Sequence, residues 1–99
     1  MTVKVYQIDN DTNEALYPNT TSAYSIGMFD PMEHLDKYKH VANVDVSDLD
    51  EAFRVGNIGP DYLIERRLPM RSVSVGDILE YNGTKYVVAS FGFKQLEMQ

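Results

Sequence analysis

Apolar and polar residues alternate from Thr2 to Ile8, with Val3 and Val5 on one side and Lys4 and Tyr6 on the other. That period of two predicts a half-buried strand, with Ile8 expected to continue the Val3/Val5 face. Asp9 to Asn13 is dense in turn formers and reads as an exposed loop. Pro18-Asn19-Thr20 is a turn, and Ala23 to Ile26 a short strand ending at Gly27. The period then changes. Asp30 as cap, Pro31 at the first helical position and Glu33 behind them predict a helix, with Met32, Leu35 and Tyr38 as its apolar stripe and Phe29 as a staple. Its end is expected near Lys39-His40, where basic residues suit the negative end of the dipole.

His40 to Val46 returns to strand character, with Val41, Ala42, Val44 and Val46 inward and Asp45 outward. Ser47 is then expected to cap a second helix with Asp48, Asp50 and Glu51 in its first turn, Leu49, Ala52, Phe53 and Val55 inward, and Gly56 as its stop. Asn57 to Pro60 reads as a loop with its hinge at Gly59-Pro60, and Asp61 as the start of a short turn through Ile64.

The C-terminal third carries the most local information. Asn82-Gly83 lies between two runs rich in β-branched and aromatic residues, the signature of a two-residue type I′ hairpin. Such a loop sets the register: Tyr81 opposite Thr84, Glu80 opposite Lys85, Leu79 opposite Tyr86 and Ile78 opposite Val87. Leu79, Tyr81, Tyr86 and Val88 then share one apolar face, and Glu80 with Lys85 mark the other as solvated. Gly76-Asp77 reads as the turn feeding the hairpin. Gly92 reads as a bulge, with Phe93, Gln95 and Leu96 in a further strand.

These elements predict one α+β domain over residues 1–99: a small, mainly antiparallel sheet of four to five strands with two short helices on one face and a C-terminal hairpin. A partly closed barrel is the alternative for the same elements.

The run Ser72-Val73-Ser74-Val75-Gly76-Asp77-Ile78, then Gly83, Tyr86-Val87-Val88 and Ser90-Phe91-Gly92-Phe93, resembles the end of the YodL-like domain family, whose pattern is S-x-S-V-x-D-V, a Gly, and Y-Y-V-x-S-x-G-F. Val5-Tyr6-Gln7-Ile8 and Leu49-Asp50-Glu51-Ala52-Phe53 with Asn57 follow the family's order, whereas Tyr62 to Met70 departs from it. The resemblance implies a setting in bacteriophages and mobile elements, and it brings no enzymatic activity.

Composition narrows the chemistry. With 99 residues, 43% of them apolar, seven Tyr and four Phe, the chain has enough apolar material for one modest core. It has no Cys, which removes disulfide, zinc-thiolate and Cys-nucleophile chemistry. The first 25 residues lack a basic start followed by an apolar run, and no run reaches the length of a membrane span, so a cytoplasmic setting is expected, in the host cell for a phage protein. Net charge is −6 and uneven: residues 1–63 hold eleven acidic and four basic residues (net −7), and residues 64–99 hold four and five (net +1). That balance argues against direct binding to nucleic-acid backbone and permits a basic partner.

Asp9, Asp11 and Asn13 alternate as in a calcium loop, but Glu14 replaces the required Gly and the distal Glu is missing, so a solvated loop is the better reading. His34 and His40 lie six apart, not the three or four of a helical metal pair. Ser72 and Ser74 lie in no nucleophile elbow. Asp45, Asp48, Asp50 and Glu51 suit a helix N-terminus better than a metal site or a DNA-mimicking surface. No catalytic, cofactor or metal residue is expected.

Two features remain as protein-binding candidates. Arg66, Arg67 and Arg71 form the only cationic cluster, and Arg is enriched at interface anchors. Phe91 and Phe93 flank the Gly92 bulge. The expectation is a non-enzymatic accessory protein that binds a host or phage protein, with an acidic DNA mimic or adaptor for a DNA-handling protein as the alternative. The terminal strand also leaves an edge through which a homodimer could form.

Overall fold

The computed structural model describes residues 2–8, 35–70, 72–89 and 92–96. The expected turn and strand between Pro18 and Gly27, the Asp/Asn loop and the Asp30 helix start lie outside these residues.

Among the described residues six strands form one antiparallel sheet: β1 (Thr2–Ile8), β2 (Tyr38–Asp45), β3 (Ile64–Arg66), β4 (Ile78–Tyr81), β5 (Thr84–Val88) and β6 (Phe93–Gln95), in the spatial order β3-β2-β1-β4-β5-β6. Among the described residues one α-helix, α1 (Leu49–Ile58), packs on one face of it. The fold is α+β, and the described residues hold more strands than the residue pattern predicts and one of its two helices. The extra strand is β3, three residues long and too short to leave a readable period. Among the described residues nothing pairs β3 with β6, so they show an open sheet and not a barrel.

The first predicted helix does not run to His40. Leu35 to Lys37 form a 3-10 turn, and Tyr38 already belongs to β2, paired with Ile8. Tyr38 reads as the next step of the Met32/Leu35 stripe, but its neighbours form a strand whose backbone groups are met by β1.

The hairpin register is as expected, Ile78↔Val87 through Tyr81↔Thr84. Asn82 and Gly83 hold φ at 53° and 79°, the left-handed values that a type I′ turn requires. Leu79, Val88 and half-buried Tyr81 belong to the main core together with Val3, Val5, Ala42, Val44, Ala52, Val55 and Val73. The other hairpin face is not simply wet. Ile78 and Val87 are buried there with Leu96, against Tyr6, Leu35 and Tyr38. Glu80 and Lys85 mark only the part of that face nearest the turn.

Strand parity also places Ile8 differently from the expectation. Val3, Val5 and Gln7 share a face by alternation, so Ile8 falls with Lys4 and Tyr6. Gln7 is buried and donates from Nε2 to Asp77 Oδ2 at 3.0 Å. Asp77, also buried, accepts from the Ser74 amide at 2.9 Å, while its own amide donates to Ser74 O at 3.0 Å. This small polar node explains how the strand accommodates Gln7 inside: the amide hydrogen meets a carboxylate. Tyr38 Oη also donates to Gly76 O, tying the same turn to β2.

The cap of α1 is Asp48, not Ser47: its Oδ1 accepts the Glu51 amide at 2.7 Å, and Glu51 reaches back to the Ser47 amide at 3.4 Å. The helix does not stop at Gly56. It runs to Ile58 and is closed by Gly59, whose φ is 81° and whose N–H donates to Val55 O at 2.9 Å. Gly56 has a packing reason: a Cβ there would lie 2.4 Å from Val73 Cγ2 in the segment that returns from β3 to β4. Phe53 is the least inward of the predicted apolar positions of α1, and its ring meets that of Phe93 edge-on at 6.4 Å.

Candidate functional site

The chain leaves α1 at Ile58, passes a cis Gly59-Pro60 bond and a 3-10 turn (Asp61–Leu63), and enters edge strand β3. This path encloses a cleft of about 540 Å³ between the C-terminal end of α1, β3 and the returning segment, lined by Gly56, Ile58, Asp61, Ile64, Arg66 and Met70 among others. Arg66 Nη2 donates to Asp61 Oδ1 at 3.2 Å, with both side chains well exposed. Such a pair contributes little, about 0–1 kcal/mol, so the guanidinium is held in place without being committed.

Two large apolar side chains in this part of the chain are well exposed. Ile58 is 77% exposed and lines the cleft, and Tyr62 is 85% exposed on the turn that follows. The residue pattern does not single out Ile58, and it groups Tyr62 with the aromatic residues expected to pack in the core, whereas the side chain lies in solvent on its turn. Ile58 follows an apparent helix stop at Gly56, so its place on the last turn of α1 could not be inferred.

Arg66 and Arg67 face opposite sides of the sheet. Arg66 pairs with Ala42 and projects to the helix side of the sheet, into the cleft. Arg67 follows on the opposite side, where Nη1 donates to His40 Nδ1. Adjacent strand residues face opposite ways, which separates two side chains that are neighbours in sequence. Phe93 is half-buried against the main core, and Arg71 and Phe91 lie outside the described residues.

Arg67 belongs to a polar network on the second sheet face. Arg donates only, so His40 Nδ1 accepts and Nε2 carries the hydrogen given to Asn43 Oδ1 at 2.7 Å. Asn43 Nδ2 in turn donates to Glu65 Oε1 at 2.9 Å. Tyr6 lies beside it, its ring 5.2 Å from that of His40 and 5.0 Å from Lys85 Nζ, its hydroxyl donating to Glu80 at 3.0 Å. Glu80 also faces Lys4 at 3.8 Å. Burial, and then the bond to Glu80, push the Tyr6 hydroxyl from 10.0 to about 12. That shift moves the phenol further from ionisation, the opposite direction from the one a phenolate base or nucleophile needs.

Among the described residues no group of three or more His, Cys, Asp or Glu could hold a metal ion. Among them, too, no helix is long and apolar enough to cross a membrane. Comparison with protein-family models, with curated proteins and with solved structures finds no match for this chain.

Proposed function

We propose that the protein is a non-enzymatic binding module, an accessory protein of a phage or mobile element, that docks on a host or phage protein through the surface around the α1–β3 cleft. The observation that carries this reading is exposed Ile58 lining the cleft, with exposed Tyr62 on the turn that follows it in the chain. Scattered exposed apolar residues are ordinary, but two of the most exposed, four positions apart and one of them lining a concavity that holds an Arg, form the kind of patch that partners cover. Tyr and Arg are also the side chains most often found as interface anchors. The resemblance to YodL-like domains supports the mobile-element setting, and the acidic balance supports a partner with basic character.

The test is affinity capture from bacterial lysate with and without nuclease, using the natural chain and an Ile58→Ser/Tyr62→Ser double variant. A nuclease-resistant partner lost in the double variant is the expected result. A partner retained by that variant, but lost when Asp45, Asp48 and Asp50 are changed to Asn, would replace this reading with the acidic-mimic one.

A further inference from the structure

We infer, resting on the protein-binding reading above, that the partner element is an extended peptide strand that adds antiparallel to the outer edge of β3, with the side-chain order acidic, basic, apolar. β3 is the last strand of the sheet on its side, paired with β2 alone among the described residues. The direction of its backbone groups follows from one bond. Arg67 N–H donates to Val41 O at 2.7 Å, continuing the β2–β3 register. Peptide groups alternate along a strand, so Glu65 also addresses β2, whereas Ile64 and Arg66 turn outward. Ile64 N–H closes the 3-10 turn on Asp61 O, which leaves the Arg66 amide as the donor presented along the edge. An added strand gains its affinity from such main-chain groups and its specificity from pockets that receive alternate side chains.

The cleft supplies that pocket on the same side as those alternate positions. Ile64 and Arg66, the two β3 residues on the helix side, both line it, and exposed Ile58 lines it too. Residues directly opposed across an antiparallel pair share a face. The peptide residue opposite Arg66 therefore enters the cleft beside the guanidinium and is acidic. The next residue, opposite Glu65, lies on the other face and is basic. The one after, opposite Ile64, re-enters the cleft against Ile58 and Ile64 and is apolar. A second copy of this chain does not meet these requirements. A two-fold pairing centred on the three-residue strand puts Glu65 against Glu65, and like charges directly opposed are unfavourable.

Selection of a displayed library of random eight-residue peptides on the full chain tests this directly. The selected sequences are expected to share the order acidic, basic, apolar. Synthetic versions are expected to lose tenfold or more in affinity when the backbone nitrogens facing β3 are methylated. Arg66→Ala removes the guanidinium and keeps the amide; Arg66→Pro removes both, and proline is tolerated where an edge N–H faces outward. Arg66→Pro is expected to bind at least tenfold more weakly than Arg66→Ala, with both variants matching the natural chain in circular dichroism. Peptides indifferent to backbone methylation and equal on the two variants would overturn strand addition while leaving protein binding standing. No enriched sequence would overturn the extended-peptide occupant itself, and the capture experiment above would then decide the broader reading separately.

Discussion

At the scale of single residues, the telling positions are those whose surroundings differ from what their neighbours in sequence suggest. Tyr6 alternates with Val5 and Gln7 and reads as an outward strand residue, yet it sits between His40, Lys85 and Glu80 with its hydroxyl pushed up to about 12. This has a consequence for stability. The unfolded phenol ionises near 10.0, whereas the folded one holds its proton to about 12, so the folded state binds more protons between those values. Stability is fully present below the lower value and falls as pH rises toward the upper one. The urea midpoint should drop as pH rises from about 10 toward about 12, and by less in Tyr6→Phe, where this contribution is gone. Equal drops in the two proteins would remove Tyr6 from the account. Arg66 and Arg67 show the same lesson: their clustering is plain in the sequence, but strand alternation directs one to the cleft and the other to His40.

At the scale of elements, boundaries written in local chemistry were legible. Asn82-Gly83 sets the hairpin because only a few residues accept its dihedral angles, and the cross-strand register follows from the loop length. Gly56 was legible as a glycine but not as to its purpose. It resembles a helix stop, and only the return segment carrying Val73 shows that the helix continues and needs a bare Cα there. Alanine would gain about 1 kcal/mol of helix propensity at Gly56 but would force a methyl into buried Val73, and overpacking costs about 1–3 kcal/mol. Gly56→Ala should therefore destabilise the protein. A double-mutant cycle with Val73→Ala should show favourable coupling, because truncating Val73 gives the added methyl room. Additive effects in chemical denaturation would disprove this contact as the reason for the glycine.

At the scale of the whole molecule, the sheet has two unlike faces and two short edges. The α1 face carries the main core, and the second face combines the small Ile78/Val87/Leu96 cluster with the Tyr6–His40–Glu80 network. Each edge strand has a charge at its centre, Glu65 in β3 and Lys94 in β6. A homodimer built through the terminal strand would set Lys94 against Lys94, as one through β3 would oppose the two Glu65 side chains, and central charges of this kind blunt edge-to-edge pairing. Light scattering at micromolar concentration should accordingly report a monomer; a stable dimer weakened by high salt would contradict the edge argument. Periodicity, turn chemistry and composition were enough to specify the antiparallel α+β class, the hairpin and its register, because each of these depends on residues within a few positions of one another. The three-residue edge strand, the meeting of buried Gln7 with Asp77, the different surroundings that Arg66 and Arg67 find on the two sides of the sheet and the cleft beside Ile58 were decided only when distant segments met. Each of them depends on which backbone or side chain arrives from across the sheet, a relation that no local pattern contains.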